Sequence, residues 1–120
     1  MDPWYSMGSG DMLEVAHMAV HVGQMGGIAE KDQLFDAVTV NSARTMGLEG
    51  YGLAVGCKAN LVILQAADVT EAIRLKPTRL YVLREGRVIS RTAPRLAELS
   101  LAGRPAQIDP GLDYLPPGRG

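Results

Sequence analysis

Cysteine, tryptophan and phenylalanine occur once each in this 120-residue chain, and neither sign of charge dominates it. The single cysteine, Cys57, excludes an intrachain disulfide and suits a reducing cytoplasm. A net charge of −1 argues against a basic nucleic-acid surface or a polybasic membrane patch. No apolar run reaches the roughly 18 residues that a membrane-spanning helix needs, and the first residues lack a basic-then-apolar signal pattern. What the chain has in excess is turn formers, with 14 glycines and 7 prolines. Its 47% hydrophobic and 21% charged residues describe a soluble globular protein, large enough for one core but not two.

The period of the pattern changes along the chain. Asp11 and Glu14 form a D-x-x-E capping box that opens a helix over Met12 to Met25, stopped by Gly26-Gly27. Its polar residues Glu14, His17, His21 and Gln24 make one narrow stripe, so most of the circumference is apolar and meant to be covered. A second helical region spans Glu30 to Met46, with Leu34, Phe35, Ala37, Val38, Ala43 and Met46 as its buried face and Gly47 as its stop. Asn41 can cap a fresh turn there, which would divide it into two short helices. Ala59 to Gln65 (ANLVILQ) reads as a buried strand, and Asp68 to Glu71 as another capping box whose helix Pro77 ends. Leu80 to Leu83 and Val88 to Ser90 flank Arg84-Glu85-Gly86-Arg87 and predict a hairpin. After Thr92 the prolines predict no regular structure.

The expected fold is therefore α+β, two to three helices followed by a small, mostly antiparallel sheet. So few strands leave one face and both edges of the sheet without partners.

Few residues suggest chemistry on their own. His17 and His21 stand at the i, i+4 spacing that presents two imidazoles to one metal, and Glu14 completes a formal E-x-x-H-x-x-x-H set. A polar stripe on the helix surface explains the same spacing. Lys58 beside Cys57 favours the thiolate, but no histidine is near in sequence to serve as its base. Gly50, Gly52 and Gly56 match no phosphate-binding pattern and read as turn glycines. Ser9 in Gly-Ser-Gly lacks the flanks of a nucleophile elbow. Arg84 and Arg87 bracket a hairpin tip as solvated charges. No catalytic set emerges from residue chemistry.

The order of motifs points further. DPWY with a following Gly/Ser loop, then VAHMAVHVGQ, then VNSARTMGLEGYGLAVGCKANLVIL, resembles the C-terminal third of the cytosine deaminase branch of the amidohydrolase superfamily. N-S-A-R-T-M-G-L followed by A-V-G-C-K-A-N-L-V-I-L is its most diagnostic part. Asn60, where most of the superfamily has Asp, and the DPWY start narrow the likeness to that branch. The resemblance runs from Asp2 to about Thr92.

It implies a share of a (β/α)₈ barrel with a small β-sandwich. Residues 1–50 resemble the end of the barrel, 51–95 the C-terminal strands of the sandwich, and 96–120 form a Pro/Gly-rich tail. Trp4 resembles the aromatic residue that closes the base-binding pocket at the C-terminal end of the barrel. The resemblance also implies hydrolytic deamination by water on a divalent metal, zinc or iron. None of the family's metal ligands falls in this chain, and neither His17 nor His21 corresponds to one. The chain is thus expected to be a fragment or truncated gene product, inactive alone, without metal or catalytic residues of its own. It is also expected to be cytoplasmic and to form a homo-oligomer, binding no nucleic acid or membrane. A small-molecule base would bind only the full-length enzyme. The alternative is a non-catalytic α+β module that self-associates through apolar faces.

Overall fold

The structure, a computed structural model, describes residues 8–109. Among the described residues four helices and five strands follow one another: α1 (Met12–Val22), α2 (Ile28–Val38), α3 (Val40–Thr45), β1 (Leu61–Leu64), α4 (Val69–Leu75), β2 (Arg79–Arg84), β3 (Arg87–Arg91), β4 (Ala97–Glu98) and β5 (Gln107–Ile108). The α+β order is as expected.

The first helix starts where its cap predicts but ends early. Asp11 accepts from the Leu13 N–H at 2.9 Å. Glu14 does not close the box; its carboxylate turns to Ser9 instead. At the other end Met25 N–H donates to Val20 O and Gln24 N–H to His21 O. That paired closure ends the helix at Val22, with Gln24 left-handed at φ 54°. Met25, expected inside the helix, folds back onto the core instead. Gly27 is no stop signal but the N-cap of α2, with its N–H donated to Glu30.

The Glu30 to Met46 region is two helices, and Thr39 rather than Asn41 divides them. Thr39 leaves the helical region at φ −123°, ψ −95°, while its hydroxyl donates to Phe35 O. Gly47, at φ 64°, closes α3 with the same paired pattern, through Leu48 N–H to Ala43 O and Gly47 N–H to Arg44 O. Only Leu34 and Ala43 of the expected face are buried; Ala37 and Met46 are exposed.

The core lies among the helices. Ala16 from α1, Leu34 from α2 and Ile73 from α4 meet at its centre, with Ala19, Val20, Met25, Phe35, Val38 and Val69 packed around them. Asp68 caps α4 by accepting from Glu71 N–H, while Glu71 pairs with Arg74. Lys76, left-handed at φ 45°, and then Pro77 end that helix.

The main sheet is antiparallel in the order β1-β2-β3, so β1 and β3 are its edges. Val62 pairs with Val82 and Ile63 with Tyr81 on one side; Tyr81 pairs with Arg91 and Val82 with Ser90 on the other. Glu85 and Gly86 both have positive φ, 49° and 76°, the two-residue turn that matches strand twist. The strand expected over Ala59 to Gln65 is shorter and is not buried: Val62 and Ile63 stay about half exposed. At its two ends the side chains of Asn60 and Gln65 hold other backbone, Asn60 accepting from Glu85 N–H at 2.8 Å, while Gln65 N–H still donates to Thr78 O. The tail beyond Thr92 contains a short regular pair after all, as Ala97 meets Ile108 and Glu98 meets Gln107.

Among the described residues no helix packs broadly on the sheet. The radius of gyration, 16.6 Å, exceeds the roughly 13–14 Å of a compact domain of this length. Met12, Val15, Met18 and Val22 on α1 remain exposed, as do Val88 and Ile89 on β3. The α1 polar stripe is not simply a solvent face: half-buried His17 borders the buried side, while the apolar Met12, Val15, Met18 and Val22 face out.

Candidate functional site

Trp4, the expected pocket wall, lies outside the described residues. Among the described residues, Ser9 and Asp11 are each fastened by a side-chain carboxylate contact. Glu14 accepts from Ser9 N–H at 3.2 Å and from Ser9 Oγ at 2.6 Å. Asp11 Oδ1, besides capping α1, pairs with the Arg79 guanidinium from the start of β2. Both partners of that pair are partly shielded from water, and it joins positions 68 apart in sequence. Nothing in the pattern around Arg79 announced it.

The two Ser9 hydrogen bonds favour the ionised form of Glu14, so its carboxyl sits below the ordinary value of 4.5. A depressed carboxylate contributes stability above its unfolded pKa and loses it as pH falls through the folded one. The Ser9 tether is therefore complete at neutral pH and is expected to release only below about pH 4.5. An NMR titration following the Ser9 amide should show that transition, and Glu14→Gln should abolish it. A Ser9 resonance unmoved between pH 7 and pH 3 would contradict the tether.

The histidine pair has other engagements. His17 Nδ1 lies 3.2 Å from Ile73 O; a carbonyl only accepts, so Nδ1 carries the proton and donates. The His17 and His21 rings meet edge to face with centroids 4.8 Å apart. With Glu14 held by Ser9, the three do not converge. Among the described residues no three His, Cys, Asp or Glu side chains are gathered as a metal site.

Cys57 is half-buried in a turn closed by its own N–H to Ala54 O. Gly50 is a turn glycine at φ 69°, its carbonyl accepting from Lys58 N–H at 2.7 Å. A shallow open hollow of about 330 Å³ lies beside this turn, lined by residues that include Leu48, Glu49, Tyr51, Lys58 and Asn60. Asn60 uses only its carbonyl oxygen on Glu85 N–H, an acceptor role that a carboxylate fills equally well. That makes Asn or Asp serviceable at this position. Arg84 and Arg87 face each other across the hairpin, both exposed.

Sequence reasoning also passed over Gln65. It is 4% exposed, and its amide makes a two-way clasp with Arg95, donating to the carbonyl and accepting from the N–H, both at 2.8 Å. A polar residue closing an apolar run was the available signal.

The fold superposes on solved deaminase and aminohydrolase structures with TM-scores of 0.70 to 0.74. The chain belongs to the Amidohydrolase family, which it matches over residues 1–90. It is 37% identical to 5-methylcytosine deaminase from Klebsiella pneumoniae, whose structure liganded with 5-fluorocytosine superposes with a TM-score of 0.74 over 82% of this chain and 24% of that one. For N-isopropylammelide isopropylaminohydrolase from Burkholderia multivorans the values are 31%, 0.70, 75% and 23%. Pterin deaminase from Rhizobium rhizogenes is 33% identical over 99 residues, 82% of this chain. N-isopropylammelide isopropyl amidohydrolase from Pseudomonas sp. is 33% identical over 89 residues, 73% of this chain. The chain spans 22% of the length of both these curated relatives.

Proposed function

We propose that this chain is the C-terminal share of a deaminase acting on a pyrimidine-type base. The observation that carries the reading is the 37% identity to 5-methylcytosine deaminase over 82% of the chain. Residues 1–50 would then close the barrel end, 51–95 would supply sandwich strands and 96–120 would form the tail. Trp4 would stand at the pocket wall.

The family generally uses a divalent metal. The described residues do not fit one: no three His, Cys, Asp or Glu side chains are gathered among them, and Glu14 is held by Ser9. No hydrolytic step is therefore assigned to them. Their part is to tie Ser9 to α1 through Glu14 and the start of α1 to the start of β2 through Asp11–Arg79.

Incubated with cytosine or 5-methylcytosine and added zinc or iron, the chain alone is expected to release no ammonia above background. Supplied in trans to a cytosine deaminase that lacks its C-terminal quarter, it is expected to restore ammonia release. Chelator-sensitive release by the chain alone would overturn its inactivity. Failure to restore, where the deaminase's own C-terminal quarter succeeds, would overturn the assignment to this branch.

The exposed apolar residues of α1 and the sheet favour a second reading for the isolated chain, self-association.

A further inference from the structure

Pro77 leaves the Ile73 carbonyl of α4 without its helical donor. In a continuing helix that carbonyl accepts from the N–H four residues on, and proline has none to give. His17 fills the place from α1, its Nδ1–H donating to Ile73 O at 3.2 Å. The bond settles the tautomer: Nδ1 holds the proton and Nε2 keeps its lone pair. Metal-binding histidines are commonly prepared in this way, with one nitrogen tied to a backbone carbonyl and the other left for the ion.

His21 is the second donor. It stands one turn further along α1 and is exposed, so its ring can turn without disturbing the core. The two ring centroids are 4.8 Å apart. An imidazole nitrogen meets a first-row divalent ion at about 2.0–2.1 Å, which puts each ring centre about 3.1 Å from the ion. Two rings on neighbouring corners of a square then have centres about 4.4 Å apart, or about 4.8 Å when the angle opens to about 100°. The pair already has that separation.

Glu14, on the same stripe, is held by Ser9 and adds no third donor. Two protein donors are too few for zinc, whose structural and catalytic sites take about four and three. They suit copper(II), which stands highest in the divalent series and accepts a tetragonal set of nitrogen and oxygen donors. We propose that His17 Nε2 and His21 form a copper(II) site on α1, two neighbouring imidazoles with water completing the square. The site is separate from the deaminase reading and carries no hydrolytic step. An ion held there also fixes the His17 ring, which reinforces the contact between α1 and α4 through Ile73 O.

Copper(II) chloride alone is the probe. It is added to the chain carrying Cys57→Ser and an acetylated amino terminus, so that neither thiol nor amine competes. One ion per chain is expected, with electron paramagnetic resonance showing hyperfine splitting from two imidazole nitrogens. His21→Ala should weaken binding by about tenfold or more while keeping the parent circular dichroism, since His21 is exposed. Zinc chloride should bind more weakly than copper. Copper should raise the urea midpoint of the parent chain and leave that of His21→Ala nearly unmoved. No binding, or an affinity that His21→Ala leaves within about twofold of the parent, would overturn the site. So would a spectrum showing backbone amide nitrogens in place of the two imidazoles.

Discussion

Replacing Ile73 by Ala is expected to cost about 2–5 kcal/mol, the largest effect of any single substitution considered. Ile73 is 2% exposed, and its neighbours across the helix contacts are Ala16 and Leu34. Ala16, at 1% exposure, cannot move a longer side chain into the space left behind. The cavity stays open and adds its own cost to the lost transfer energy. Domains of this size are stable by only about 5–15 kcal/mol, and this core is confined to the helices, so the substitution removes a large share of the total. Urea unfolding followed by far-ultraviolet circular dichroism should show the midpoint fall sharply, with Ile73→Val costing only about 0.5–1.5 kcal/mol. An unchanged midpoint for Ile73→Ala would mean that α1, α2 and α4 are not held together as described.

Gln65→Leu should produce the second largest loss, about 1–3 kcal/mol, for a different reason. The substitution keeps the bulk but removes both members of the Arg95 clasp, so two hydrogen bonds worth about 0.5–1.5 kcal/mol each are lost. Hydrogen exchange at the Arg95 amide should accelerate by roughly tenfold or more, since about 1.4 kcal/mol already corresponds to tenfold. The β2–β3 hairpin, which does not depend on the clasp, should keep its protection. Gln65→Glu is a sharper probe. Its carboxylate still accepts from Arg95 N–H but presents a second oxygen to the Arg95 carbonyl where the amide donated, so it should rescue only part of the loss. Full stability in both variants would mean the clasp contributes nothing.

Local chemistry was legible wherever one residue and its near neighbours settle the matter. Asp11 and Asp68 mark the starts of α1 and α4 because a short carboxylate satisfies free amides in the first turn. The glutamates three residues later were less dependable. Glu14 has Ser9 within reach and Glu71 has Arg74, and both take those partners in preference to the cap backbone. Gln24 shows the reverse failure. It occupies a left-handed position usually held by glycine, because Met25 gains burial by folding back onto the helices.

The sequence by itself determined the order of elements as far as β3, the starts of α1 and α4, the Glu85-Gly86 turn and the motifs of the Amidohydrolase family, since each depends on residues close together along the chain. Only the tertiary structure decided which apolar residues are covered and which long-range polar partners meet. Val62 and Leu34 are equally apolar as letters, yet one is exposed and the other buried, because burial belongs to whatever packs against a residue. Asp11 finds Arg79 and Gln65 finds Arg95 for the same reason: folding brings them together, and no spacing along the chain encodes the meeting.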